Sequence, residues 1–179
     1  MARSTGDRHL GRSAPSEAER RRELLAAAGR GTLWGLAGVV ALTVSEKVEQ
    51  AVTGRPDSYV PARTLLTMVG RRPPDSAQPW GWNMAMHYGT GAALGALRGA
   101  WSVVGLRGPR ADLAHTVVRL AFDQTAENGT GTGAPPHSWP LEEQLIDVLH
   151  KAVYSFVTGA LTDRAIAPVL ESRAGTSSH

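Results

Sequence analysis

The chain contains no cysteine and, beside seventeen arginines, only two lysines. Without cysteine there is no disulfide framework, no thiolate metal site and no cysteine nucleophile. The absence fits an oxidising or a reducing compartment equally. Also missing are a G-x-S-x-G elbow, a Walker A loop and a dinucleotide-binding glycine fingerprint. There is no internal repeat. The first apolar stretch begins only at Thr32 and no small-residue cleavage site ends it, so a retained helix fits better than a secretory signal peptide.

What is present reads as one all-α domain of 179 residues, long enough for a four-helix core. Residues 1–20, rich in Arg, Ser and Gly, read as a disordered basic arm, and residues 172–179 as a disordered tail. Residues 21–171 read as the folded domain. Glu17–Arg30 has helix-forming composition with mixed charge, suited to a membrane surface or to a lead-in for the next segment. Gly31–Ser45 is apolar throughout, and continuing it through Val52 gives about 30 Å of helix before Gly54-Arg55-Pro56 stops it. A short helix is expected over Ala62–Val69. Trp82–Leu106 is the second apolar segment, with Gly91, Gly95 and Gly99 at every fourth position. That many glycines weaken a helix in water by up to about 1 kcal/mol each, whereas between membrane helices they form a packing face. Arg110–Asn128 carries His115, Arg119, Asp123 and Glu127 as one polar stripe opposite Leu113, Val117, Leu120 and Ala121. The run 129–140 is a loop by composition, and Leu141–Leu161 is the fourth apolar segment.

Polar clusters stand at matching ends of these segments. Glu46, Lys47, Glu49 and Gln50 end the first. Asn83 and His87 begin the second. Asp123, Gln124 and Glu127 end the third, and Glu143, Asp147, His150 and Lys151 begin the fourth. Both lysines fall in these clusters. A four-helix up-down bundle brings all four to one end. The candidate catalytic residues are therefore Glu46, His87, Asp123, Glu127, Asp147, His150 and Lys151. Glu46 and Glu49 are one turn apart, as are Asp147 and His150, the latter resembling the carboxylate-x-x-His element of di-metal bundles. With His87 and Glu127 they form a candidate ligand set for iron, manganese or zinc. Without a metal, the same carboxylates, His and Lys suit acid–base work on a lipid-like small molecule or the passage of protons. The plainest reading is an ion-pair network that pins the helices in register. Arg98 and His115 fall toward the other end and are expected to face the interface there or each other. His137, in the loop beside Trp139, is a candidate to cover the site, although a histidine so placed is more often just a loop residue. Asn128-Gly129-Thr130 matches a glycosylation acceptor, a weak three-residue match.

The seven arginines up to Arg30 make a basic flank before an apolar helix. Lacking interleaved aromatics or a recognisable nucleic-acid module, the arm is better explained by the positive-inside rule than by nucleic-acid binding. Trp80 and Trp82 suit a membrane–water interface. In a four-span arrangement the arm, the Arg107–Arg110 loop and the tail with Arg164 and Arg173 share one side. Both termini are then cytoplasmic, and the clusters lie toward the outer face of a cell membrane. The mean hydropathy of −0.19 is low for such a protein, and a soluble helical domain whose striped third helix faces water is the competing expectation.

The apolar helix ending in SEKVEQAVTGRP, the later MAMHYGTGAALGAL, and DQTAENGTGTGAPP leading into IDVLHKAVYSF resemble a family of small multi-pass bacterial membrane proteins grouped with inner-membrane proteins linked to acid resistance. The resemblance covers about residues 31–164. It implies a multi-pass helical membrane protein, with no catalytic residues to carry over.

Overall fold

The structure, a computed structural model, describes residues 15–170. Among them there are five α-helices and one 3-10 turn, and no strand. α1 spans Glu17–Thr53, α2 Val60–Met68, α3 Trp80–Val103, α4 Gly108–Thr130 and α5 Leu141–Ala165. The fold is all-α as expected, with one helix more than the four-helix reading.

The expected arm and tail fall mostly on residues 1–14 and 171–179, which lie outside the described residues. The boundary at residue 20 is corrected: α1 already begins at Glu17. Its start is a capping box, in which the Ser16 hydroxyl accepts from the Glu19 backbone N–H and the Glu19 carboxylate accepts from the Ser16 backbone N–H. From there α1 continues unbroken for 37 residues, about 55 Å of helix. The expected separate amphipathic helix is thus its first turns. Gly54, at φ 74°, ends it in the left-handed conformation that glycine takes without strain.

The four long helices alternate in direction. Gly31 of α1 meets Gly95 and Gly99 of α3, and Gly35 meets Gly91 and Gly95. Ser45 of α1 meets His150 of α5, while Gly38 meets Thr158. Asp123 of α4 lies by Lys151 of α5, while Asp112 lies by Gly159. Each pair is antiparallel. The glycine ladder is a helix–helix contact: a Cβ on Gly35 would stand 2.2 Å from the Gly91 carbonyl oxygen. Helices this close replace side-chain packing by backbone contact.

The long helices form an arc in the order α3, α1, α5, α4. α3 and α4, though consecutive among them, have well-separated backbones and meet through side chains, Arg98 with Asp112, and His115 with Trp101 and the Leu94 carbonyl. α2 fills the opening at the polar end, packed on both. The Asn83 side chain anchors it, accepting from the Ala62 backbone N–H and donating to the Ser58 carbonyl. The hydroxyls of Thr64 and Thr132, 2.6 Å apart, tie it to the chain after α4.

Among the described residues, eight of the buried apolar side chains gather in two small clusters. One is Ala27, Val103, Ile166 and Leu170; the other is Val39, Leu42, Leu94 and Tyr154. Much of the remaining interior is polar: Arg98, Asp112, His115, Arg119, Asp123 and His150 are buried, together with several Ser and Thr. Large apolar side chains point outward, Val40, Val44, Val48 and Val52 along α1 among them. On α4 the stripe of His115, Arg119 and Asp123 faces inward, while Leu113 and Val117 are 57% and 64% exposed. This overturns the expectation of a water-facing stripe.

Candidate functional site

The alternation carries the four clusters to one end, where they surround a cavity of about 540 Å³. Glu46 from α1, His87 from α3, Glu127 from α4, and Asp147, His150 and Lys151 from α5 all line it. Two further candidates stand behind this wall. Asp123 accepts a hydrogen bond from Arg119 Nε at 2.9 Å and lies 3.7 Å from Lys151 Nζ. Glu49 is bound by Arg55, whose Nη2 donates to Oε2 at 2.8 Å, and by Thr53, whose hydroxyl donates at 2.7 Å.

Neighbouring pairs hold most of these groups. Lys151 donates to Asp147 one turn before it, as the i,i+4 spacing predicts. Lys47, exposed at the rim, donates to Asp57 at 2.5 Å. That ammonium holds the Asp57 carboxyl below the usual carboxylate range, and the hydrogen bond to Glu49 raises the Arg55 guanidinium further. His150 Nδ1 lies 2.9 Å from Ser45 Oγ. Its Nε2 has no hydrogen-bond partner, the Glu49 carboxylate being 3.6 Å away. Among the described residues Glu46, His87 and Glu127 make no ion pair and no side-chain hydrogen bond. They face the cavity with their polar atoms uncommitted.

Beneath the cavity the Arg119 guanidinium lies 4.8 Å from the Tyr154 ring centroid. The Tyr154 hydroxyl donates to the Gly91 carbonyl at 2.7 Å. His115 stacks between Tyr154 and Trp101, its Nε2 3.1 Å from the Leu94 carbonyl oxygen. A second ionic cluster closes the opposite end. There Arg98, wholly buried, donates from Nη2 to Asp112 at 2.8 Å and to Asp163 at 2.9 Å, and from Nη1 to Ser102 at 2.7 Å. Arg98 and His115 are both fully buried and hold different partners, which corrects the expectation that they face the interface or each other.

Among the described residues no three of the His, Asp and Glu side chains converge as a metal site requires. Of the proposed ligands, Glu49 turns to Arg55 and Asp147 to Lys151. His137 is an exposed loop residue in the 3-10 turn Pro136–Ser138, and Gly133, Ala134 and Trp139 of the same loop line the cavity. The sequence reading missed Arg55, Asp57 and Tyr59, which enter the wall from the loop after α1. It also missed Asp112 and Asp163 as partners of Arg98. A signal for these existed: an arginine inside a glycine-rich apolar helix needs carboxylates at its own depth, and in an alternating bundle those are the start of α4 and the end of α5. No protein-family model, curated protein or solved structure matches the chain.

The pairing separates two mutations that the sequence alone would group. Asp147→Asn removes the nearer partner of Lys151 and is expected to cost about 1–3 kcal/mol. Glu127→Gln removes no partner and is expected to change stability by less than about 0.5 kcal/mol. Thermal melts of the two purified variants check this; equal losses would mean that Glu127 is held by a contact of its own.

Proposed function

We propose that the protein is an integral membrane bundle whose polar cavity, near the outer face, is a binding site for a small molecule. One observation carries this reading: large apolar side chains lie outside, while charged ones lie inside around a cavity. Water drives the opposite arrangement, at about 25 cal/mol per Å² of apolar surface. In a bilayer the outward Val and Leu faces cost nothing, and charged groups turn inward to avoid hydrocarbon. α1 is long and apolar enough to cross a membrane. α3, α4 and α5, of 23 to 25 residues, have sufficient length for a core about 30 Å thick, and buried charges account for their lower hydropathy. The arginine-rich flank of α1 and the Arg107–Arg110 loop assign the Arg98 end to the cytoplasm. The resemblance to small inner-membrane proteins agrees with this. Charges serving only to fix helix register would be paired, and the uncommitted Glu46, His87 and Glu127 favour a binding role over that alternative.

The protein is expected to stay with membranes through an alkaline carbonate wash and to need detergent for extraction. Reporter fusions after Leu106 and after Ser172 should read cytoplasm, and one within 129–140 the other side. Recovery as a monodisperse soluble monomer, or a C-terminal reporter read outside, would refute the proposal.

A further inference from the structure

The cavity has a sign and a texture. Five carboxylates line it against three cations. Each cation is already engaged: Lys47 with Asp57, Arg55 with Glu49 and Lys151 with Asp147. Glu46 of α1 and Glu127 of α4 line the same cavity and make no ion pair among the described residues. Tyr59, Trp80 and Trp139 supply aromatic wall. Trp139 is fixed in place, its indole N–H donating to the Ala134 carbonyl at 2.9 Å. His150, only 3% exposed, also lines the cavity, and its Nε2 is unpartnered. At about 540 Å³ the space suits a small organic molecule.

We propose that this cavity binds an organic cation, an ammonium-bearing molecule whose charge is met by Glu46 and Glu127 and whose alkyl groups lie against Tyr59, Trp80 and Trp139. The inference rests on the reading of the cavity as a small-molecule site. Carboxylates supply the counter-charge, and aromatic faces attract a cation while tolerating its alkyl groups. A free carboxylate ligand would meet the surplus of negative charge. A neutral apolar ligand would leave Glu46 and Glu127 desolvated and unpaired.

Choline and its uncharged carbon isostere, neohexyl alcohol, differ in charge at nearly constant shape. Both are titrated against the detergent-purified full chain, followed by tryptophan fluorescence and equilibrium dialysis. Choline is expected to bind saturably and the isostere at least about tenfold more weakly. Glu46→Gln and Glu127→Gln should each weaken choline binding about tenfold while leaving the melting temperature unchanged. Glu142→Gln, on the exposed start of α5, should leave binding unchanged. Equal binding of choline and isostere overturns the cation inference and leaves the cavity standing as a binding site. Choline binding unaffected by both Gln variants overturns it as well, since the cation is then held elsewhere. Binding of neither probe by the folded protein overturns the inference together with the site on which it rests.

Discussion

Gly95→Val is expected to abolish the folded protein. A Cβ at this position would stand 2.5 Å from the Gly31 carbonyl oxygen and 2.6 Å from the Gly35 Cα. Both are backbone atoms of α1, so no side-chain rotation relieves the clash. The helices would have to separate along a contact that Gly31, Gly35, Gly91 and Gly99 all share. Moving α1 also withdraws Ser45 from His150 and Glu46 from the cavity. The expected loss exceeds about 4 kcal/mol, a large part of the 5–15 kcal/mol that holds a typical domain together. Gly89→Ala, in the same helix with open space beyond its Cα, is expected to be neutral or stabilising by up to about 1 kcal/mol. Size-exclusion profiles and melting curves distinguish them. A Gly95→Val protein that melts like the wild type would mean that α1 and α3 do not approach as described.

Arg98→Met is expected to cost about 3–5 kcal/mol, because it strands two carboxylates in the interior. Asp112 would lose both its bonds from Arg98, at 3.2 and 2.8 Å. Asp163 would keep the Ser102 hydroxyl and the Gly108 backbone N–H, at 2.7 and 2.8 Å. Asp112→Asn added to Arg98→Met should therefore restore more stability than Asp163→Asn does. The coupling, read from a double-mutant cycle, should exceed about 1 kcal/mol. Additive losses would mean that the three groups do not share one network. Gly159 belongs to the same cluster, since a Cβ there would meet the Asp112 carboxylate at 1.8 Å.

The site was legible in the sequence to the extent that it follows from alternation. Helices joined in sequence and reversing direction bring the end of α1, the start of α3, the end of α4 and the start of α5 to one level. No knowledge of helix rotation is needed for that. The Asp147–Lys151 pair was legible for a similar reason, since i,i+4 spacing is a property of one helix. The glycine ladder was legible because repeated loss of Cβ along one face has few other uses. What stayed hidden depends on rotation and on which helices become neighbours. Glu46 and Glu49 look alike in sequence, yet one faces the cavity and the other turns to Arg55 on the following loop. α2 was visible as a helix, but its role in filling the opening between α3 and α4 is a fact about the arc. Arg98 read as a residue facing an interface because its partners lie 14 and 65 positions away.

The order of the arc also bears on synthesis. α1 and α3 can dock through their glycines once residue 103 has emerged, well before the cavity exists. α4 follows and meets α3 through Asp112 on Arg98 and through His115 on Leu94 and Trp101, while Arg119 and Asp123, paired with each other, still lack Tyr154 and Lys151. α5 arrives last, bringing Asp147, His150 and Lys151 to the cavity, Tyr154 to Arg119, and Asp163 to Arg98. A ribosome halted before residue 141 would therefore leave α4 held to the α1–α3 hairpin by these side-chain contacts alone. α5, the last of the five helices, completes the cavity and brings the remaining counter-charges to the interior in the same event.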